Sequence, residues 1–190
     1  IVRVKNEEDG AENEKKQQIE MDGTACFRDG LYKGEVDSTA TRGLLFAQGD
    51  LKKCLYDLEM PVFGRLTAEV HVSDTDLKVS EKAGQPVFSF QIRCRAEIEE
   101  SFSPDNMHLD RLNEIDSLLS SMIKTDVENA LDQSIRLHGC DVLGLTRIAM
   151  KKAPSMVRGR EAFWPEILRT STFEIHVEAS VDKIGAQAID

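Results

Sequence analysis

The chain has 190 residues, 41% of them hydrophobic and 31% charged, with 34 acidic against 24 basic side chains and a net charge of −10. That profile is globular, and its acidity argues against a nucleic-acid partner, because an acidic surface repels phosphate backbones. No apolar stretch approaches the roughly 18 residues that a spanning helix needs.

Residues 1–22 read as a linker or flexible segment. The run Lys5-Asn6-Glu7-Glu8-Asp9-Gly10 and its continuation to Glu20 carry almost no apolar content, too little to offset the entropy of ordering. The chain begins Ile1-Val2-Arg3-Val4, without methionine, and is expected to be a fragment or a processed form, with any export signal or lipid anchor upstream. A single folded domain is expected over 23–190. Thr24–Phe27 and Leu31–Val36 are strand-like runs flanking Asp29-Gly30, which predicts a tight hairpin. Asp37-Ser38-Thr39 offers caps for a short helix through Phe46, ended by Gly49-Asp50.

Leu66, Ala68, Val70 and Val72 alternate with polar residues, whereas Leu77 and Val79 fall on the other parity. A bulge or bend near Ser73–Asp76 reconciles the two halves. The same Ser73-Asp74-Thr75-Asp76 is too short to cage calcium and reads as a turn. Phe88, Phe90, Ile92, Cys94, Ala96 and Ile98 give a clean period of two, with one face in the core and the other wet. From Asp105 to His138 the period is helical, with Leu112, Ile115, Leu119, Met122, Val127, Ala130, Leu131 and Ser134 on one stripe and Gly139 placed to end it. Asp141 caps a second helix bearing Val142, Leu145, Ile148 and Ala149, which Pro154 stops. Residues 158–168 are irregular to helical, and Phe173, Ile175, Val177, Ala179 and Val181 form a last strand. Strands, then helices, then a closing strand predict an α+β fold, an antiparallel sheet with a long helix and shorter helices packed against it.

Candidate chemistry is sparse. Cys26, Cys54, Cys94 and Cys140 fit no zinc or redox spacing; Cys94 reads as a buried free thiol. Disulfide pairing stays open, although a chain this long does not need it. Glu174-x-His176-x-Glu178 and Glu69-x-His71 lie on the polar faces of two strands. Were those strands neighbours, His71 and His176 could serve a metal-dependent hydrolase; the plainer reading is a solvated sheet face. His138 sits at the end of the long helix, suited to capping, and His108 has no evident partner. Gly43 and Gly144 read as points of close helix–sheet approach, Arg42 as a locally ion-pairing residue, and Trp164 as a core anchor. No phosphate loop, nucleophile elbow, dinucleotide fingerprint or EF-hand is present. No cofactor site, metal site or catalytic residue is therefore assigned. A small-molecule binding module, with a pocket between sheet and long helix, is a further alternative.

The order of motifs resembles the C-terminal domain of the spore-germination GerAC-like lipoproteins, the C subunits of nutrient germinant receptors. Gly23-Thr24-Ala25-Cys26-Phe27-Arg28-Asp29 is similar to that family's opening strand, and Thr41-Arg42-Gly43-Leu44-Leu45-Phe46 to its Thr-Arg-Gly-Leu-Leu-aromatic segment. Asp141-Val142-Leu143-Gly144-Leu145 with Pro154, and Trp164 followed by Ile167-Leu168, resemble its later helices. The chain departs from the pattern at Ser155-Met156-Val157, where the family often has a second tryptophan, and at Lys183-Ile184-Gly185. The resemblance implies a non-enzymatic subunit on the outer face of the spore inner membrane, lipid-anchored in the full-length protein. It also implies action with membrane-bound A and B subunits during germination.

Overall fold

The computed structural model describes residues 2–7, 16–60, 64–98, 109–184 and 187–188. Its elements are β1 (Val2–Glu7), β2 (Lys16–Met21), β3 (Thr24–Arg28), β4 (Leu31–Val36), α1 (Ser38–Gln48), β5 (Cys54–Met60), β6 (Gly64–Lys82) and β7 (Gln85–Ile98), then α2 (Leu109–Leu131), α3 (Leu145–Lys152), α4 (Pro154–Val157), α5 (Trp164–Arg169), β8 (Thr172–Ile184) and β9 (Gln187–Ala188). A π-helical segment, Asp132–Leu137, continues α2. His108 lies outside the described residues, as does the start of the predicted helix at 105.

Five strands form the main sheet in the order β5-β6-β7-β8-β9. The α+β architecture with a long helix is as expected, with one difference in the sheet. β7 and β8 run parallel, and the other pairs are antiparallel. A parallel neighbour needs a long crossover, and the helices between Ile98 and Thr172 provide it. β5 has no counterpart among the predicted elements. Its Tyr56, Leu58 and Met60 are buried while Leu55 is exposed, so an apolar residue on the wet face obscures the alternation.

The phase change in β6 is a bulge between Val72 and Asp74, so Ser73–Asp76 lies within a strand and is not a turn. Beyond it, Thr75 donates to the Phe46 carbonyl at 3.0 Å and Asp74 pairs with Arg93 at 2.6 Å. Within 1–22, β1 and β2 pair antiparallel, so the segment expected to be a linker carries two strands whose backbone groups satisfy each other.

The core lies between the inner sheet face and α2. Phe88, Phe90, Ile92 and Ile98 of β7 meet Ile115, Leu119, Ile123, Val127 and Leu131 of α2, all nearly or wholly buried. The i, i+4 recurrence of those helix positions sets one continuous apolar stripe over the sheet. The helix also covers part of the open edge of β8. Asp116 accepts the Val181 N–H at 2.9 Å and Ser120 the Ala179 N–H at 3.0 Å. Side chains thus satisfy edge donors that would otherwise invite another strand.

α1 crosses α2 at Gly43. A Cβ there would collide with the Asp126 carbonyl oxygen, so the close approach is helix on helix, not helix on sheet. Asp37 caps α1 by accepting the Ala40 N–H at 2.7 Å, and Gly49 closes it at φ 74° with its N–H on the Leu45 and Phe46 carbonyls. Gly144 has a different role from the one expected. It sits at φ 66° before α3 with no crowding, and the left-handed backbone is what glycine permits there.

Gly43→Ala is expected to destabilise the protein by about 2–3 kcal/mol, because two helix backbones must part to admit one methyl group. A urea unfolding curve with an unchanged midpoint would show that the crossing is not tight.

Candidate protein-interaction surface

Three side chains converge where α1, α2 and β5 meet. Asp126, 4% exposed, projects from the buried stripe of α2. Its Oδ2 accepts from Arg42 Nε at 2.7 Å and from the Tyr56 hydroxyl in a shorter bond. The Arg42 guanidinium lies 4.2 Å over the Tyr56 ring. Burial, then the hydrogen bond to Asp126, pushes the Tyr56 phenol well above its ordinary range. Burial is the largest single influence on Arg42 and works against its charge, but the Asp126 hydrogen bond and the attraction of Tyr56, Asp126 and Cys54 together raise its pKa. Arg42 therefore pairs within the molecule, with a residue of another helix and not with a local one. Asp126 and Tyr56 are not among the sequence-derived candidates; the available signal is an aspartate on the buried stripe of a long helix.

This constellation holds the Tyr56 phenol in its neutral form and encloses the Asp126 carboxylate; the neighbouring Cys54 thiol is pushed up to about 11, chiefly by burial. The constellation couples the Thr41-Arg42-Gly43 segment to the long helix. Thr41 extends the coupling, its hydroxyl lying 3.0 Å from that of Thr24 on β3.

The histidine pair does not assemble. His71 on β6 stands opposite Arg95, and His176 on β8 opposite Gln91, with β7 between them. Two strand spacings and four residues of offset separate them by roughly 16 Å, far beyond a shared ion whose ligands lie near 2 Å. His71 is occupied by the Lys52 carbonyl and Glu69, each at 3.1 Å, and Glu174 accepts from Ser89 at 3.0 Å. His71 and His176 therefore cannot ligate one metal ion. Among the described residues no cluster of metal-ligating side chains occurs, and no helix is long and apolar enough to cross a membrane.

His138 ends the helix as expected, and its side chain makes a further contact. Its ring crosses to β4, placing Nε2 3.0 Å from the Glu35 carbonyl and lying where a Cβ on Gly34 would collide. Its backbone N–H closes the helix on the Gln133 carbonyl at 3.1 Å, so His138 is the C-cap, while its side chain docks the hairpin. Asp141 also caps, with one oxygen on the Leu145 N–H and the other on the Thr146 N–H, 2.7 and 2.8 Å away. Trp164 is the expected anchor, buried with its indole N–H on Thr146 at 3.1 Å.

The β3–β4 hairpin carries the apolar surface that the core does not use. Asp29 and Gly30 both have positive φ, 54° and 76°, the two-residue turn that suits strand twist. Phe27 and Tyr32 face each other in register and stack edge to face at 5.7 Å. Phe27, Leu31 and Tyr32 remain 59%, 62% and 57% exposed, and Leu137 beside the docking histidine 68%. Arg28, beside the turn, ties the hairpin tip to the Gly139 carbonyl at 3.3 Å. Grouped exposed apolar and aromatic side chains on a rigid support are the usual composition of a protein contact.

A neighbouring cleft of about 180 Å³ is lined by Arg28, Thr146, Pro165, Leu168 and Arg169. Arg169 already donates to the Arg136 carbonyl, its Nη2 at 2.8 Å. A second cleft, of about 190 Å³, opens between the end of the long helix and β8, lined by Leu131, Asp132, Arg136, Phe173 and Ile175; no buried side-chain polar atom among the described residues lacks a partner.

The profile of the spore germination B3/GerAC-like C-terminal domain matches residues 22–185. The chain belongs to this family. Among solved structures, it is similar to that described as the crystal structure of the GerBC protein, with a TM-score of 0.77 at 17% identity. The match covers 95% of this chain and 55% of that one, so the chain spans about half the length of that relative. No curated protein sequence matches. Within the matched range, Thr41-Arg42-Gly43 packs against Asp126, and Asp141 to Gly144 supplies the α3 cap and the left-handed turn before it.

Two predictions test these contacts. Asp126→Ala should cost about 3–5 kcal/mol, since it leaves Arg42 and the Tyr56 hydroxyl unpaired, whereas Tyr56→Phe should cost about 1–2 kcal/mol; equal urea midpoints for the two variants would contradict the arrangement. The Asp37 carboxyl is held below its usual range by the Ala40 N–H and then Gln133. Its folded pKa lies below the unfolded one, so its contribution is present above the unfolded value and lost as pH falls through the folded one. Asp37→Ala should therefore destabilise by about 1 kcal/mol near neutral pH and converge with the parent protein in strong acid, in urea melts across pH.

Proposed function

We propose that this domain is part of the C subunit of a spore nutrient germinant receptor and works by binding other receptor subunits, not by catalysis. Membership of the spore germination family over residues 22–185 is the observation that carries this reading. The exposed hairpin side chains Phe27, Leu31 and Tyr32 support it. The enclosure of Asp126 and Tyr56 and the distance between His71 and His176 remove the best candidates for chemistry.

In this reading the full-length protein is a lipoprotein held on the outer face of the spore inner membrane by an upstream anchor. It acts beside the membrane-bound A and B subunits. The hairpin is the surface that meets one of them. Its aromatic pair is already ordered by stacking and by the His138 and Arg28 contacts, so little further ordering is lost on binding.

The test is nutrient-triggered germination of spores carrying full-length protein with Phe27→Ser and Tyr32→Ser. The expected result is a germination rate reduced at least about tenfold, in line with loss of a central aromatic anchor, with the protein at its normal level. Recovery of the A and B subunits with the tagged protein should fall in parallel. Normal germination and recovery would reject the hairpin as the contact. Normal germination after deletion of the whole domain would reject the receptor reading.

A further inference from the structure

Two of the four cysteines meet inside the smaller core. Cys26 on β3 and Cys140, just beyond the long helix, have no solvent exposure and share a cluster with Val36, Ala40, Leu44 and Ala130. The Cys140 thiol donates to the His138 carbonyl at 3.5 Å, and its sulfur is near enough to Cys26 to help keep the Cys26 thiol protonated, after burial.

The backbone on both sides is held in place. Cys26 pairs with Gly34, on which the His138 ring rests. Arg28 binds the Gly139 carbonyl, and the Cys140 N–H donates to the Ser134 carbonyl at 2.8 Å. The other two cysteines are placed differently. Cys54 on β5 lies opposite Val70, and Cys94 on β7 opposite Val72, with β6 between them. Two strand spacings, about 9–10 Å, exceed the roughly 7 Å span of Cα atoms that a disulfide can bridge.

We propose that Cys26 and Cys140 are a disulfide-forming pair that locks the β3–β4 hairpin onto the end of the long helix. This inference does not depend on the receptor reading. The oxidant is a small-molecule disulfide acting by exchange. One protein thiolate attacks it, forming a mixed disulfide and releasing one small thiol. The second protein thiolate attacks the protein-side sulfur, forming the Cys26–Cys140 bond and releasing the other small thiol. Two protein thiols and one small disulfide thus become one protein disulfide and two small thiols, and the two protons leave on the products.

Burial sets the timing. It pushes the Cys26 thiol up to about 11, and neither sulfur is open to solvent, so the docked pair reacts slowly. Exchange belongs to the folding chain, before the hairpin seats. Once closed, the bond is shielded from reductants by the same burial.

The test is refolding of the whole chain from urea, once with reductant and once with a reduced/oxidised glutathione pair. In the second case free thiols should fall from the four of the reduced chain to two. Intact mass should drop by two hydrogens, and non-reducing peptide mapping should join the segments holding Cys26 and Cys140. The melting temperature should rise by about 5–10 °C over the reduced form, and Cys140→Ser should abolish both the link and the rise. Refolded protein that keeps four free thiols, a link to Cys54 or Cys94, or a Cys26–Cys140 link that lowers the melting temperature would each overturn the proposal. Mapping of the parent protein decides the matter even if the serine variant does not fold.

Discussion

A carboxylate in the wrong place for a soluble helix organises this domain. Asp126 occupies a position on α2 that the helical period assigns to the core, and it is buried there. An unpaired charge at such a site is costly, so its tolerance depends on Arg42 and Tyr56 arriving together. They come from α1 and β5. Both contacts are present together where the helix lies on the sheet. The arrangement selects one relative placement of three elements, a use of buried polar groups that apolar packing alone serves less well. Gly43 acts in the same direction, because its missing side chain lets the α1 backbone reach the Asp126 carbonyl.

The second core is an extension of the first. Leu44 on α1 belongs to the smaller cluster and Phe46 on the same helix to the larger. One short helix therefore transmits the position of the sheet to the hairpin. His138 and Arg28 complete that path from the other side, at the end of the long helix. The apolar surface of the hairpin is thus presented by the main body and is not a loosely tethered appendage.

Much of the fold is legible in the residues because local rules and global packing agree over most of the chain. The Asp-Gly turn, the α1 cap, the bulge in β6, the clean alternation of β7 and the long helix follow from period and turn chemistry. β5 is hidden because Leu55 sits among its polar positions. The parallel pairing of β8 is hidden because periodicity reports which face of a strand is buried, not which strand lies beside it. The same limit leaves His71 and His176 open until the strand order separates them. Arg42 pairs within the molecule, but its partner lies on another element, and no local pattern announces a contact of that range. Asp126 breaks the apolar stripe visibly, and a buried acid on such a stripe asks for a cation elsewhere in the chain.

The parallel pairing of β7 with β8 also bears on how the molecule is made. β8 emerges from synthesis only after every helix of the crossover. Until then the long flank of β7, with its aromatic and branched side chains, has a neighbour on one side alone. For that interval the nascent chain exposes an adhesive strand edge, and shielding it falls to the long helix or to a chaperone. Loss of the C-terminal segment would leave this domain permanently in that state, prone to self-association rather than merely shorter by one strand.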